Sequence, residues 1–246
     1  AFDVNTGNFT GQTFDFNAQV KALLALPDGR LLVGGDFTRV NGETHVGTVV
    51  INPSTGQIDP SWDLQIVNAL RGGSVSVRAL TYYDGNVYLG GSFTHLSGGG
   101  SSKVYARNAG RVSLSGRPDR SWNPEISGSV QAVGVSEANS AFYAGGHFTT
   151  AHGNQRAWYA AKFSTQAGAA LDTNFSFEPS APSAGKYQQT ISSAGDRVYI
   201  GGSEHSLFGY DAASNQRLSG AMTFSNGGDL QASTVSAKGV IYGSCH

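Results

Sequence analysis

Five polar residues recur at one point of a repeating pattern: Lys21, Arg78, Gln131, Gln188 and Gln231. Each is the second residue of a stretch that opens with Val20, Val77, Val130, Tyr187 or Leu230. Two cations and three amides supply many donors. If the fold brings them together they suit an anion, a carboxylate or the hydroxyls of a sugar. The plainer reading is a solvated lining with local salt bridges. Carboxylates are the other candidates, because a glycoside hydrolase needs a pair of them at one site. None of the five stretches opens with Asp or Glu. Asp36, Asp59, Asp63, Asp119, Asp172 and Asp211 stand in turn-like or peripheral contexts, where Asp bonds its own backbone. No catalytic residue is expected.

The histidines are His45, His95, His147, His152, His205 and His246. A zinc site needs three or four convergent ligands, usually closely spaced. His147 and His152 share one loop, which is a weak pattern, and neither a metal nor a cofactor is expected. Trp62, Trp122 and Phe175 recur in step with the repeat, as do Phe37, Phe93 and Phe148. Such regularity reads as packing between repeats. Trp158, Tyr82 and Tyr83 recur nowhere, so they are the candidate stacking surface for a sugar ring. No phosphate loop, nucleophile elbow or Cys–His arrangement appears. Asn8-Phe-Thr and Asn174-Phe-Ser match the glycosylation sequon, a motif of low specificity.

The elements that must position these residues are hairpins. In the first, an apolar run from Val20 leads to Asp28-Gly29, a second run follows, and Gly34-Gly35 stops it. Asp-Gly between apolar runs signals a tight turn, because Gly takes positive φ without cost. Similar hairpins start near 20, 77, 130, 187 and 230, about 40–60 residues apart. A further segment follows each, such as Val49 to Leu64 with its Ser54-Thr55-Gly56 turn. Four short strands per repeat predict an all-β protein, a β-propeller. The last repeat has room for only two strands. Residues 1–16, through Asn5-Thr6-Gly7 and Phe14-Asp15-Phe16, look like the missing pair. The expectation is therefore one domain over 1–246: five four-stranded blades, the last closed by the N-terminal strands. Six or seven blades, the rest lying outside this segment, is the competing count.

Composition narrows the function. The net charge is −1 and charged residues are 13%, so no basic surplus draws in nucleic acid or an anionic membrane. No apolar run approaches the roughly 20 residues of a membrane helix. Residue 1 is Ala, which reads as a processed or excised product, part of a longer chain or assembly. The single Cys245 cannot form an internal disulfide, and its partner, if it has one, is expected beyond His246.

Gly34-Gly-Asp-Phe-Thr38, Gly90-Gly-Ser-Phe-Thr94 and Gly145-Gly-His-Phe-Thr149, with Asp-Pro-Ser-Trp62 and Asp-Arg-Ser-Trp122, resemble the delta-sixty repeats of bacterial surface and secreted propellers and of phage minor tail proteins. Gly201-Gly-Ser-Glu204 and Tyr242-Gly-Ser-Cys245 depart from that pattern. The resemblance implies a propeller in an extracellular or virion-tail setting and no single activity. The expected function is a non-enzymatic recognition or structural module. It would bind a glycan or a protein at the cell surface, through the channel ring or the loops Thr38 to Val46 and Thr94 to Tyr105. A phage-tail or appendage component and a carbohydrate-active enzyme are the alternatives.

Overall fold

The computed structural model describes residues 1–177, 187–222 and 228–245. His246, one of the histidines named above, and the thiol of Cys245 lie outside the described residues. The structure is all-β. The 3₁₀ turn Glu137–Asn139 is the single helical element among the described residues.

Five antiparallel hairpins pair an inner strand with a second strand. They are Val20–Ala25 with Leu31–Gly35, Ser76–Tyr83 with Asn86–Ser92, and Val130–Ser136 with Ala141–Gly146. Gln188–Ala194 with Arg197–Gly202 and Leu230–Val235 with Ile241–Cys245 complete the set. The first four gain a third strand: Thr48–Asn52, Ala109–Ser113, Ala160–Ser164 and Ser206–Asp211. Each inner strand lies against the next sheet's inner strand, in chain order. The double glycines make that approach feasible. A Cβ on Gly34 would meet Val77 and Leu80 of the next sheet, and one on Gly90 would meet Val130 and Val133. A Cβ on Gly35, Gly91, Gly146 or Gly202 would strike the backbone carbonyl of Gln19, Ser76, Ser129 or Tyr187. Only glycine fits where two backbones close this tightly.

The fourth strand is where the sequence expectation needs correction. It is a full strand only in the fourth sheet, Arg217–Met222. In the first sheet it is the pair Gln57–Ile58, and in the next two a single bridge, Val112 to Pro118 or Phe163 to Leu171. Trp62, Trp122 and Phe175 therefore do not sit on a fourth strand. They sit just past a turn in which Asp59, Asp119 or Asp172 accepts the N–H of Ser61, Ser121 or Asn174 through its carboxylate. That turn swings the chain toward the next sheet, and the aromatic ring enters the seam between the two. Trp122 is fully buried and meets Tyr88 and Phe142 edge-on, with centroids 5.1 and 4.9 Å away.

The ends do not form a closed fifth blade among the described residues. No ladder joins residues 1–16 to Leu230–Val235 or Ile241–Cys245. The N-terminal segment instead lies on the first sheet. Phe16 bridges Val40 and meets Phe37 edge-on at 4.9 Å. Ile66 pairs with Leu96 in the same way at the next sheet, so Phe16 stands where Ile66 does. Val20 and Leu23 occupy the positions of Val77 and Leu80, yet they are 40% and 65% exposed. The face that would receive a preceding sheet is open.

Candidate functional site

Each inner strand begins with a β-bulge. The register slips between Val20 and Ala22, Val77 and Ala79, Val130 and Ala132, Gln188 and Thr190, and Leu230 and Ala232. A bulge leaves one residue unpaired and re-aims its side chain. The bulged residues are Lys21, Arg78, Gln131, Gln189 and Gln231. Four match the sequence expectation and one does not. Gln188 pairs with Gly202 as Val130 pairs with Gly146, so it is a fully buried core position, and Gln189 holds its expected place. The repeat starting at Tyr187 carries one extra residue before the bulge, a shift that apolar spacing alone did not reveal.

Three of the bulged residues, Lys21, Arg78 and Gln131, are bonded to neighbouring side chains rather than converging freely. Lys21 Nζ lies 3.3 Å from Asp36, whose carboxylate also accepts from Ser76 Oγ of the next sheet at 2.5 Å. Arg78 Nη1 donates to Gln131 Oε1 at 3.1 Å, while its buried Nε has no hydrogen-bond partner. Ser92 reaches Ser129 at 2.9 Å, and His147 stacks on Tyr187 with centroids 4.5 Å apart. The Tyr187 hydroxyl donates to Asp229. Thus in the first three sheets the residue after the double glycine touches the residue two before the next sheet's bulged residue. Burial, and then the nearby charge of Arg78, hold His147 below the ordinary histidine range. Asp36 meets the Lys21 charge, so Lys21 and Arg78 do not stand as two uncompensated cations.

The candidate stacking residues separate. Tyr82 and Tyr83 lie at the far end of their hairpin, half-buried. The Tyr82 hydroxyl accepts the N–H of Gly85, and the Tyr83 hydroxyl bonds Glu137 O and Ser140 Oγ. Trp158 stands apart on the rim end, 44% exposed, just after the short hairpin of Thr150–Ala151 and Gln155–Arg156. The Arg156 guanidinium covers one indole face at 3.8 Å. Beside them opens a cleft of about 210 Å³, lined by Gln155, Arg156, Trp158, Leu171, Thr173 and Phe175. The long loops expected to present ligands are hairpins: Arg39–Val40 with Glu43–Thr44, and His95–Gly98 with Ser101–Tyr105.

The acidic residues have structural partners that sequence reasoning left unseen. Arg30 bridges Asp28 and Asp59 and donates to the carbonyl of Leu114 in the next sheet. Arg111 pairs with Asp119 and donates to the carbonyl of Thr165. Lys162 pairs with Asp172, at 3.1 Å, and donates to the carbonyl of Ala212. Each acceptor carbonyl belongs to the residue just past a third strand. In each of these three seams one cation thus ties an aspartate to the following sheet. Bonds from Ser61, and then from Arg30, hold the Asp59 carboxyl below its ordinary value. Burial pushes Asp119 up, but Ser121 and Arg111 outweigh it and hold it low. Asp172 is likewise pushed up by burial and held low by Asn215, Asn174 and Lys162. The recurring Asp was visible in the sequence; the pairing cations, Arg30 in a hairpin turn and Arg111 and Lys162 on third strands, were not.

No group of three or more His, Cys, Asp and Glu side chains among the described residues is arranged to hold a metal. Among the described residues no helix is long and apolar enough to cross a membrane. A family model described as a beta-propeller domain of unknown function (DUF5122) matches residues 26–61, the first sheet from its turn to its crossing segment. With five bulged hairpins laid side by side, that match decides the architecture. The chain folds as β-propeller blades. No curated protein matches the sequence.

Proposed function

We propose that this propeller is a non-enzymatic recognition module of a bacterial or phage surface protein, that it works outside the cell, and that it binds a glycan. The observation that carries the reading is Trp158: a half-exposed indole on a rigid β scaffold, one face held by Arg156, beside a cleft with polar edges. Stacking on the free indole face would hold a sugar ring, and Gln155 and Thr173 would meet its hydroxyls. Catalysis is not part of the proposal, since Asp59, Asp119 and Asp172 are committed to seams between sheets. On a glycan array the protein is expected to retain specific ligands, and Trp158→Ala to lose them without losing stability. Ligands lost instead in Lys21→Gln plus Arg78→Gln would move the site to the rim. An empty array would overturn the glycan reading.

We further propose that the blades form a ring of five, with residues 1–16 and the last hairpin as parts of one blade, in the manner of the delta-sixty propellers. Support comes from the placement of Phe16. At the other sheets that place is filled by the chain arriving from the preceding blade, and among the described residues no third strand joins the last hairpin.

A further inference from the structure

The second sheet carries a cleft of about 500 Å³ between its Ser101–Tyr105 hairpin arm and its crossing segment. Three of its lining positions recur in the Trp158 cleft of the third sheet. Ala106 and Ala157 donate their N–H groups to the carbonyls of Thr94 and Thr149, and Pro118 and Leu171 bridge Val112 and Phe163. Val104, Pro118 and Arg120 thus correspond to Gln155, Leu171 and Thr173. The chemistry differs, because the second-sheet cleft is lined by two arginines, Arg117 and Arg120. Both are exposed, and among the described residues neither forms an ion pair. Arg120 Nη2 donates to Ser102 Oγ at 2.7 Å, which fixes one edge of that guanidinium. The hairpin tip holds the stem of Arg117: a Cβ on Gly99 would come within 2.8 Å of Arg117 Cβ. The tip is itself tied down, since the Gly99 N–H donates to Asp63 Oδ1 at 2.6 Å. The carboxylate in the lining, Asp119, is already engaged by Arg111 at 2.5 Å and by the N–H and hydroxyl of Ser121. Two guanidinium charges therefore face the cleft without a counter-charge.

We propose that this cleft binds a sulfate or phosphate group, free or carried on an acidic glycan. A guanidinium presents paired N–H donors that match the oxygens of such a group, and two guanidiniums match the charge of a dianion. Ser102 adds a donor: its Oγ accepts from Arg120, so its own proton is available to an anion oxygen. Ser101 is not counted, because its hydroxyl donates to the Gly98 carbonyl at 2.7 Å. The arginines stand at the surface, so affinity should fall as salt is added. The proposal does not rest on the Trp158 reading, since no residue lines both clefts.

The test is calorimetric titration of the full chain at low ionic strength with sodium sulfate, sodium phosphate, dextran sulfate and neutral dextran. The free ions are expected to bind weakly, dextran sulfate more tightly and neutral dextran not at all. Arg117→Gln with Arg120→Gln should weaken anion binding about tenfold or more, as loss of charge-assisted hydrogen bonds implies. Arg39→Gln with Arg71→Gln removes two exposed cations elsewhere and should leave binding within about twofold. All four arginines lie at the surface, so both variants are expected to fold, and thermal melts check this. Trp158→Ala should leave anion binding unchanged, which separates this site from the indole cleft. Dextran sulfate binding that needs Arg117 and Arg120, with the free ions silent, would identify the glycan-borne group as the ligand. Absence of binding by every anion overturns the proposal, as does an equal loss in the two arginine pairs. The second result would mean that only the diffuse charge of the surface attracts anions.

Discussion

At the scale of single residues, the cations in the seams carry more than their surroundings suggest. Arg111 joins Asp119, the Tyr88 hydroxyl and a carbonyl of the next sheet, in a mostly buried place. Removing one member leaves the others desolvated and unpaired. Arg111→Ala is expected to cost about 2–3 kcal/mol in urea denaturation, at the low end for a buried pair because Asp119 keeps some solvent contact. Asp28→Asn, on the exposed side of Arg30, should cost below about 1 kcal/mol. The same aspartates set an acid limit. Asp59, Asp119 and Asp172 have folded-state values below their unfolded ones. Their contribution is therefore complete above the unfolded carboxylate range, near pH 4, and disappears as pH falls through the lowered values. Thermal midpoints should hold steady from pH 7 to about 5 and fall below about 4.

At the scale of elements, the seam between sheets is built from an aromatic wedge and a pair of glycines. Trp122→Ala should cost about 3–5 kcal/mol, because the ring fills a closed space between Tyr88, Phe142 and the neighbouring strands. Trp158→Ala, at the rim, should change stability by less than about 0.5 kcal/mol. Gly91→Ala places a methyl against the Ser76 carbonyl and is expected to cost about 1–3 kcal/mol through forced backbone shifts. The contrast with Gly85→Ala is informative. Gly85 has open space around it but φ of +78°, so any cost there measures conformational strain alone. Urea melts of both variants separate the two effects.

At the scale of the whole molecule, closure is the property to test, and Leu23 is its probe. In a closed ring Leu23 would pack on the preceding sheet, as Leu80 packs over Gly34. Leu23→Asp is then expected to destabilise by at least about 2 kcal/mol, in keeping with loss of a buried leucine. A cost below about 0.5 kcal/mol would mean that Leu23 remains in water and that the five-blade ring does not close in this chain. Exposed strand edges and apolar faces attract other chains, so an open ring should also associate as concentration rises. Sedimentation at several concentrations checks this.

The sequence by itself determined the repeat, the hairpins and their turns, because these depend on local rules. Apolar alternation makes strands, Asp-Gly makes turns, and glycine marks close backbone approach. It also marked Trp62, Trp122 and Phe175 as packing residues from their recurrence, and the aspartates as structural from their turn contexts. What it could not decide were matters of register and of contact between distant residues. A one-residue slip before the fourth bulge moved Gln188 from rim to core and put Gln189 in its place. Nothing local distinguishes the two amides, since only the pairing with Gly202 assigns them. The partners of Asp119 and Asp172 come from other strands, so only the tertiary structure could join them to Arg111 and Lys162. Tyr82 and Trp158 look alike as aromatic residues outside the repeat, yet one is bonded into a turn and the other stands at a cleft. Burial is a property of what the rest of the chain places nearby, and spacing along the chain does not contain it.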